Sequence, residues 1–124
     1  MARHPYDPRL DPPAPVVPLR VGAPGAAPSV AVMALVDSEA DLTVLPVPVV
    51  QGARLPPVGE VRVRGPLGER GRATVHAALV ELEGQQDLVE VLALGDEALV
   101  GRNLLARWVA CLYGREGILE LRRP

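Results

Sequence analysis

The chain of 124 residues contains no phenylalanine, one tryptophan (Trp108), two tyrosines (Tyr6 and Tyr113) and one cysteine (Cys111). So few rings exclude base-stacking platforms and aromatic ligand cages, which need several flat side chains on one surface. A lone cysteine excludes an intrachain disulfide and a thiolate metal cluster; Cys111 reads as a small buried hydrophobe, and the count suits a reducing cytoplasm. No uncharged apolar run approaches the roughly 18 residues that a membrane helix needs, and Met1 to Arg20 is broken by prolines and charges. Neither sign of charge prevails: 13 basic side chains stand against 15 acidic ones, so the net field favours neither nucleic acid nor an acidic membrane. The expectation is a soluble, cytoplasmic protein with no nucleic-acid or membrane partner.

What remains for a core is Val, Leu and Ala, in a chain long enough for one domain and short enough to gain from a shared interface. Punctuation is abundant. Six of the 14 prolines fall between Met1 and Pro18; fixed φ and missing N–H donors make residues 1–15 an extended, proline-rich arm and leave residues 16–124 as the domain. Within it, apolar runs and period-two alternation predict strands over Val16–Val21, Ser29–Val36, Val61–Arg64, Ala73–Glu83, Leu88–Leu94, Ala98–Val100, Val109–Tyr113 and Ile118–Leu121. Turn chemistry at Gly65–Glu69, Gly84–Asp87 and Gly114–Gly117 joins them as successive hairpins. Val49–Arg54 reads as a helical turn and Gly101–Trp108 as a short helix, with Trp108 a core anchor whose N–H needs one acceptor.

Most polar residues carry no chemistry that their spacing supports. His4 and His76 have no partner at ligand spacing, so no metal is expected. Gly65–Gly68 lacks the Lys-Ser/Thr of a phosphate loop, and Ser29 and Ser38 lack a base and an oxyanion arrangement. The exception is Val32–Pro46, VMALVDSEADLTVLP, where an apolar run stops at Asp37-Ser38 and resumes at Leu42. A carboxylate delivered at the end of a buried strand is costly unless it has partners or a task. Either Asp37 caps a turn, or it does chemistry.

Asp37-Ser38, then Ala40-Asp41 and Thr43-Val44-Leu45-Pro46, resemble the active-site loop of the retropepsin-like aspartic proteases. Leu99-Val100-Gly101-Arg102-Asn103-Leu104-Leu105 resembles that family's second signature, and the two lie in the right order on either side of a glycine-bearing hairpin. The likeness spans roughly Val16 to Leu121. It implies an all-β fold: a small, closed acid-protease barrel with a flap hairpin and one short C-terminal helix. It further implies a homodimer that takes an extended peptide and uses no cofactor. Asp37 would be the catalytic carboxylate and Ser38 the hydroxyl bonding across the dimer axis beneath the pair. Ala40, Asp41 and the flap residues Gly65, Pro66, Leu67 and Gly68 would border substrate, Arg102 and Asn103 would brace the loop with Arg102 on Asp41, and Ile118–Leu121 would join a dimer sheet. One loop per chain supplies a carboxylate pair only where two chains meet on a twofold axis.

Glu39 departs from the pattern, standing where the family has glycine and adding bulk and negative charge beside the acids. The sequence therefore carries two functions: an aspartic endopeptidase, or an inactive peptide-binding or dimerisation module on the same scaffold. A purely structural barrel, without peptide affinity, is a third.

Overall fold

Strand β2 (Val16–Gly22) buries Val17, Leu19 and Val21 and turns Pro18 and Arg20 outward, the period-two pattern of a sheet with one wet face. The computed structural model, which describes residues 1–124, applies that rule around a closed ring. β2 runs antiparallel to β3 (Val30–Val36), with Val17 opposite Ala34. β3 lies parallel to β8 (Ala98–Val100), which meets β4 (Thr43–Leu45) through Val44 and Leu99. β4 in turn lies parallel to β7 (Gln85–Ala93), and β7 pairs with the long strand β6 (Arg70–Leu82). The ring closes where β6 returns to β2, pairing Arg20, Val21 and Gly22 with Glu81, Val80 and Leu79.

β5 (Pro57–Arg64) hangs outside this barrel on β6 alone, so the outer half of the β5–β6 hairpin is an overhanging ribbon. The barrel interior holds one cluster built on such residues as Leu19, Leu45, Val80, Val91, Leu104 and Leu121, all at or below 1 % exposure. Each fully buried Leu or Val contributes about 1.5–3 kcal/mol. A second cluster, Val44, Ala73, Val75 and Leu92 with Leu42, Val63 and Leu99 against it, lies beneath the ribbon.

The helices are short. α1 (Val47–Gly52) starts two residues earlier than the apolar pattern suggests, because prolines at its first turn need no N–H partner. α2 spans only Arg102–Leu105, shorter than the Gly101–Trp108 read from helix formers; Ala106 still has helical dihedrals, but Trp108 leaves to pack against the barrel core.

A second sheet departs further from the sequence reading. β1 (Ala2–Pro5) pairs with β10 (Ile118–Arg122), setting His4 opposite Leu119, and β10 pairs with β9 (Val109–Tyr113) on its other side. Ala2-Arg3-His4 is the stretch of the arm ahead of its first proline, so it can donate to a ladder where the rest cannot. β10, which the family resemblance offers to a dimer sheet, has both edges filled by its own chain.

Asp87 pins this sheet to the barrel. Its carboxylate is 6 % exposed and accepts from Arg107 Nη1 at 2.8 Å and from Arg123 Nη1 and Nη2 at 2.6 and 2.9 Å. The Arg123 hydrogen bonds chiefly, then the one from Arg107, hold the Asp87 carboxyl below its ordinary value of 3.8 against the opposing pull of burial. Arg123 also lies 5.4 Å from the centroid of Trp108, whose buried indole N–H has no acceptor in the chain. Cys111 on β9 is half-buried rather than enclosed. No helix is long and apolar enough to cross a membrane.

Candidate active site

Asp37 follows directly on β3, and its backbone N–H donates to Val100 O at 3.0 Å, so the last residue of β8 fixes where the loop begins. The side chain is half-buried. Its Oδ1 accepts the N–H of Glu39 at 2.9 Å, closing a tight turn over Ser38. Glu39 itself is exposed, and its φ is not positive; the only non-glycine residues with positive φ are Arg54 and Glu83. The loop therefore accepts an L side chain at position 39 without backbone strain, and it is the main chain of Glu39, not its carboxylate, that addresses Asp37.

α2 holds the loop from the other side. Arg102 Nη1 donates to the carbonyls of Ser38 and Glu39 at 3.1 and 3.2 Å, and Nη2 meets the Asp41 carboxylate. The backbone N–H groups of Arg102 and Asn103 donate to the carbonyls of Ala40 and Asp41 at 2.8 and 3.2 Å. These are the first amides of the helix, which have no partner inside it, so loop and helix satisfy each other. Arg102 and Asp41 are both substantially exposed, so their ion pair contributes at most about 1 kcal/mol; position, more than energy, is what it supplies.

The deeper anchor is Thr43, fully buried on β4. Asn103 Oδ1 accepts both its N–H and its hydroxyl at 2.9 Å, the hydroxyl oxygen accepts the Gly101 N–H at 3.1 Å, and Asn103 Nδ2 donates to Glu90 O on β7 at 2.7 Å. This chain of bonds ties β4, β7, β8 and α2 into one knot under Asp37. Gly101 is required by contact: a Cβ there would sit 2.4 Å from the carbonyl carbon and oxygen of Leu42. Thr43 escapes a reading of the sequence because a threonine in Leu-Thr-Val-Leu looks like any strand residue; its one signal is a hydroxyl in an otherwise apolar run.

Gly65, Pro66, Leu67 and Gly68 lie at the tip of the β5–β6 hairpin. Gly65 N–H donates to Glu69 O at 2.8 Å, Gly68 N–H to Gly65 O at 3.0 Å, and Leu67 N–H to the Glu69 carboxylate at 3.0 Å. Gly68 has φ of +82° and Leu67 is 94 % exposed, so the tip touches only itself. The second apolar cluster joins ribbon to floor: Val63, Ala73 and Val75 descend on Leu42, Val44 and Leu99, which flank the Asp37 loop. Ala40 is half-buried, while Ser38 and Asp41 are exposed beside it. Three carboxylates, Asp37, Glu39 and Asp41, thus share one short loop with a single guanidinium, Arg102. His76 is spent elsewhere, its Nδ1 bonded to Leu55 O and its Nε2 to Thr74 Oγ1, and His4 meets Glu83.

No family model matches the chain, and no curated protein matches it by sequence. Solved structures do match in fold. The EIAV protease complexed with the inhibitor HBY-793 is 15 % identical, with 75 % of this chain and 86 % of that one covered and a TM-score of 0.57. The simian foamy virus (mac) protease in solution is 17 % identical, with 74 % and 92 % covered and a TM-score of 0.56. The foamy viral protease-reverse transcriptase in complex with an RNA/DNA hybrid is 15 % identical; 75 % of this chain but 12 % of that one is covered, with a TM-score of 0.59. The fold of this chain is that of the retropepsin-like proteases.

Proposed function

We propose that the chain is an aspartic endopeptidase that works as a homodimer. The observation that carries this reading is the Asp37 loop, clamped by α2 and the Thr43 knot and overhung by a hairpin, in a retropepsin-like barrel. Two Asp37 carboxylates, one per chain, share a proton across the twofold axis. The ionised one draws a proton from the attacking water, and the protonated one donates to the carbonyl oxygen of the peptide bond. Ser38 bonds across the axis beneath them. An extended peptide lies between the floor at Ala40 and Asp41 and the tip residues Gly65–Gly68, held by backbone hydrogen bonds as an added strand would be. Arg102 and Asn103 are positioning residues, acting through the loop. The saturation of β10 directs the dimer contact away from that strand, toward the loop and the hairpin tip.

A second reading, an inactive peptide-binding or dimerisation module, is favoured by Glu39, which brings a further exposed carboxylate to each half of the site. The absence of strain at Glu39 supports the enzyme. One experiment separates them: the natural chain, Asp37→Asn and Glu39→Gly on a mixed peptide library at acidic and neutral pH, with sedimentation of each. Cleavage by the natural chain, lost by a factor of at least about a thousand in Asp37→Asn with folding and dimer retained, supports the enzyme. Cleavage retained by Asp37→Asn, or a natural chain that stays monomeric while cutting, refutes it. Cleavage by Glu39→Gly alone makes this chain the module.

A further inference from the structure

Four arginines stand on the β5–β6 ribbon without an ion-pair partner. The ladder sets Arg62 directly opposite Arg72 and Arg64 directly opposite Arg70. Opposed residues of an antiparallel ladder project to the same side. The alternate residues, Val61 opposite Ala73 and Val63 opposite Gly71, project to the other side, where Val63 and Ala73 join the second apolar cluster. All four guanidinium groups therefore share the face turned away from the floor. All four residues are exposed, and none belongs to any of the chain's ion pairs. Carboxylates on the ribbon are few: Glu60 opposite Thr74 on the same face, and Glu69 at the tip, already engaged by the Leu67 N–H. In a chain with net charge −2 this is a concentrated basic surface. Like charges directly opposite one another weaken a ladder, so the arrangement costs stability unless an anion sits on it.

We propose that this outer face of the β5–β6 ribbon docks an acidic, extended polypeptide segment. β5 is the last strand of its sheet, with one row of backbone N–H and C=O groups unpaired. An incoming strand completes that row. Alternate side chains of an extended peptide recur every ~6.6–6.8 Å, the repeat that separates Arg62 from Arg64 on β5. Acidic residues at alternate positions of the added strand then lie beside Arg62 and Arg64, with Arg72 and Arg70 one strand further in. A shallow cleft of about 230 Å³ between Arg62, Val63, Arg64 and Arg70 admits a carboxylate to more than one guanidinium at once. Nucleic acid fits less well: the face has no aromatic ring to stack on, since Trp108, Tyr6 and Tyr113 all lie outside the ribbon. The surface is separate from Asp37, so it operates whether or not the chain cleaves what it holds.

The test uses the full chain carrying Asp37→Asn, which keeps cleavage out of the readout, and fluorescence anisotropy with three labelled probes. These are an alternating Glu-Val dodecapeptide, the matching Gln-Val peptide and an oligothymidylate. The Glu-Val peptide binds saturably, weakens with added salt, and loses at least about tenfold in affinity on Arg62→Glu with Arg64→Glu. Those reversals create cross-strand pairs with Arg72 and Arg70, so the ribbon folds. Arg70→Gln with Arg72→Gln gives a smaller loss. The proposal is overturned by absence of saturable Glu-Val binding, which leaves the arginines as guards of an open edge; by equal binding of the Gln-Val peptide; by binding indifferent to the reversals; or by oligothymidylate binding as tight as that of Glu-Val.

Discussion

The Asp37–Thr43 loop and the Gly65–Glu69 tip are held by opposite means. Apart from the Glu39 N–H bond to Asp37, the contacts of the loop reach across the fold: Arg102 and Asn103 lie about sixty residues from their partners in it, Val100 anchors Asp37, and Asn103 in turn donates to Glu90. The tip bonds only to itself, within five residues, and exposes its one large side chain, Leu67. Opening the loop requires parting β4, β7, β8 and α2 together, whereas the tip can swing on the ribbon without breaking a single bond to the barrel. The loop is thus tied into the most cross-braced part of the fold, and the tip into the least.

The same substitution in the two regions tests that contrast most sharply. Gly101→Ala pushes a methyl into the Leu42 carbonyl and is expected to cost about 3 kcal/mol or more. Gly68→Ala pays only for a left-handed residue with open space around it, about 1 kcal/mol. Urea denaturation of both variants reads the difference; comparable losses would mean that the loop yields as readily as the tip.

Acid gives the next largest effect, and it strikes the joint between the second sheet and the barrel. Because the folded Asp87 carboxyl lies below its ordinary value, its contribution is complete above about pH 4 and disappears as pH falls through the lowered value. Asp87→Asn leaves Arg107 and Arg123 without their counter-charge. Both arginines are partly exposed, so solvent reduces the loss to about 2–3 kcal/mol at neutral pH. The variant's melting temperature should also fall less steeply than that of the natural chain as pH drops below about 4, a drop of equal steepness in both being the contrary result. Thr43→Val, which strips the hydroxyl from the knot but keeps the shape, is expected to cost about 1–2 kcal/mol. Hydrogen exchange should then quicken at the Gly101 amide and stay unchanged at Gly68; acceleration at both would join the two regions into one unit.

What the residues disclosed in advance follows the range of the forces. The hairpins were legible because Gly65–Glu69, Gly84–Asp87 and Gly114–Gly117 spell turns locally, and the barrel strands because Val-Leu-Ala alternation marks a buried face. Parallel contact of β4 with β7, and the meeting of Val44 with Leu99, have no local signature. Nor has β1: four residues pair with a strand more than a hundred positions away, and the prolines that begin with Pro5 point to an arm. At the site, Asp37 stood out as a carboxylate at a strand end, but the approach of Arg102 to Asp41 was visible only through the likeness of two segments to known ones. Thr43 and Asp87 stayed hidden because a buried hydroxyl and a buried acid look ordinary until their distant partners are in place.

One detail reaches furthest: β10 lies between β1 and β9 of its own chain. The backbone bonds of that sheet are made at any dilution, so mass action has no hold on them. That sheet is therefore complete with a single copy of the chain.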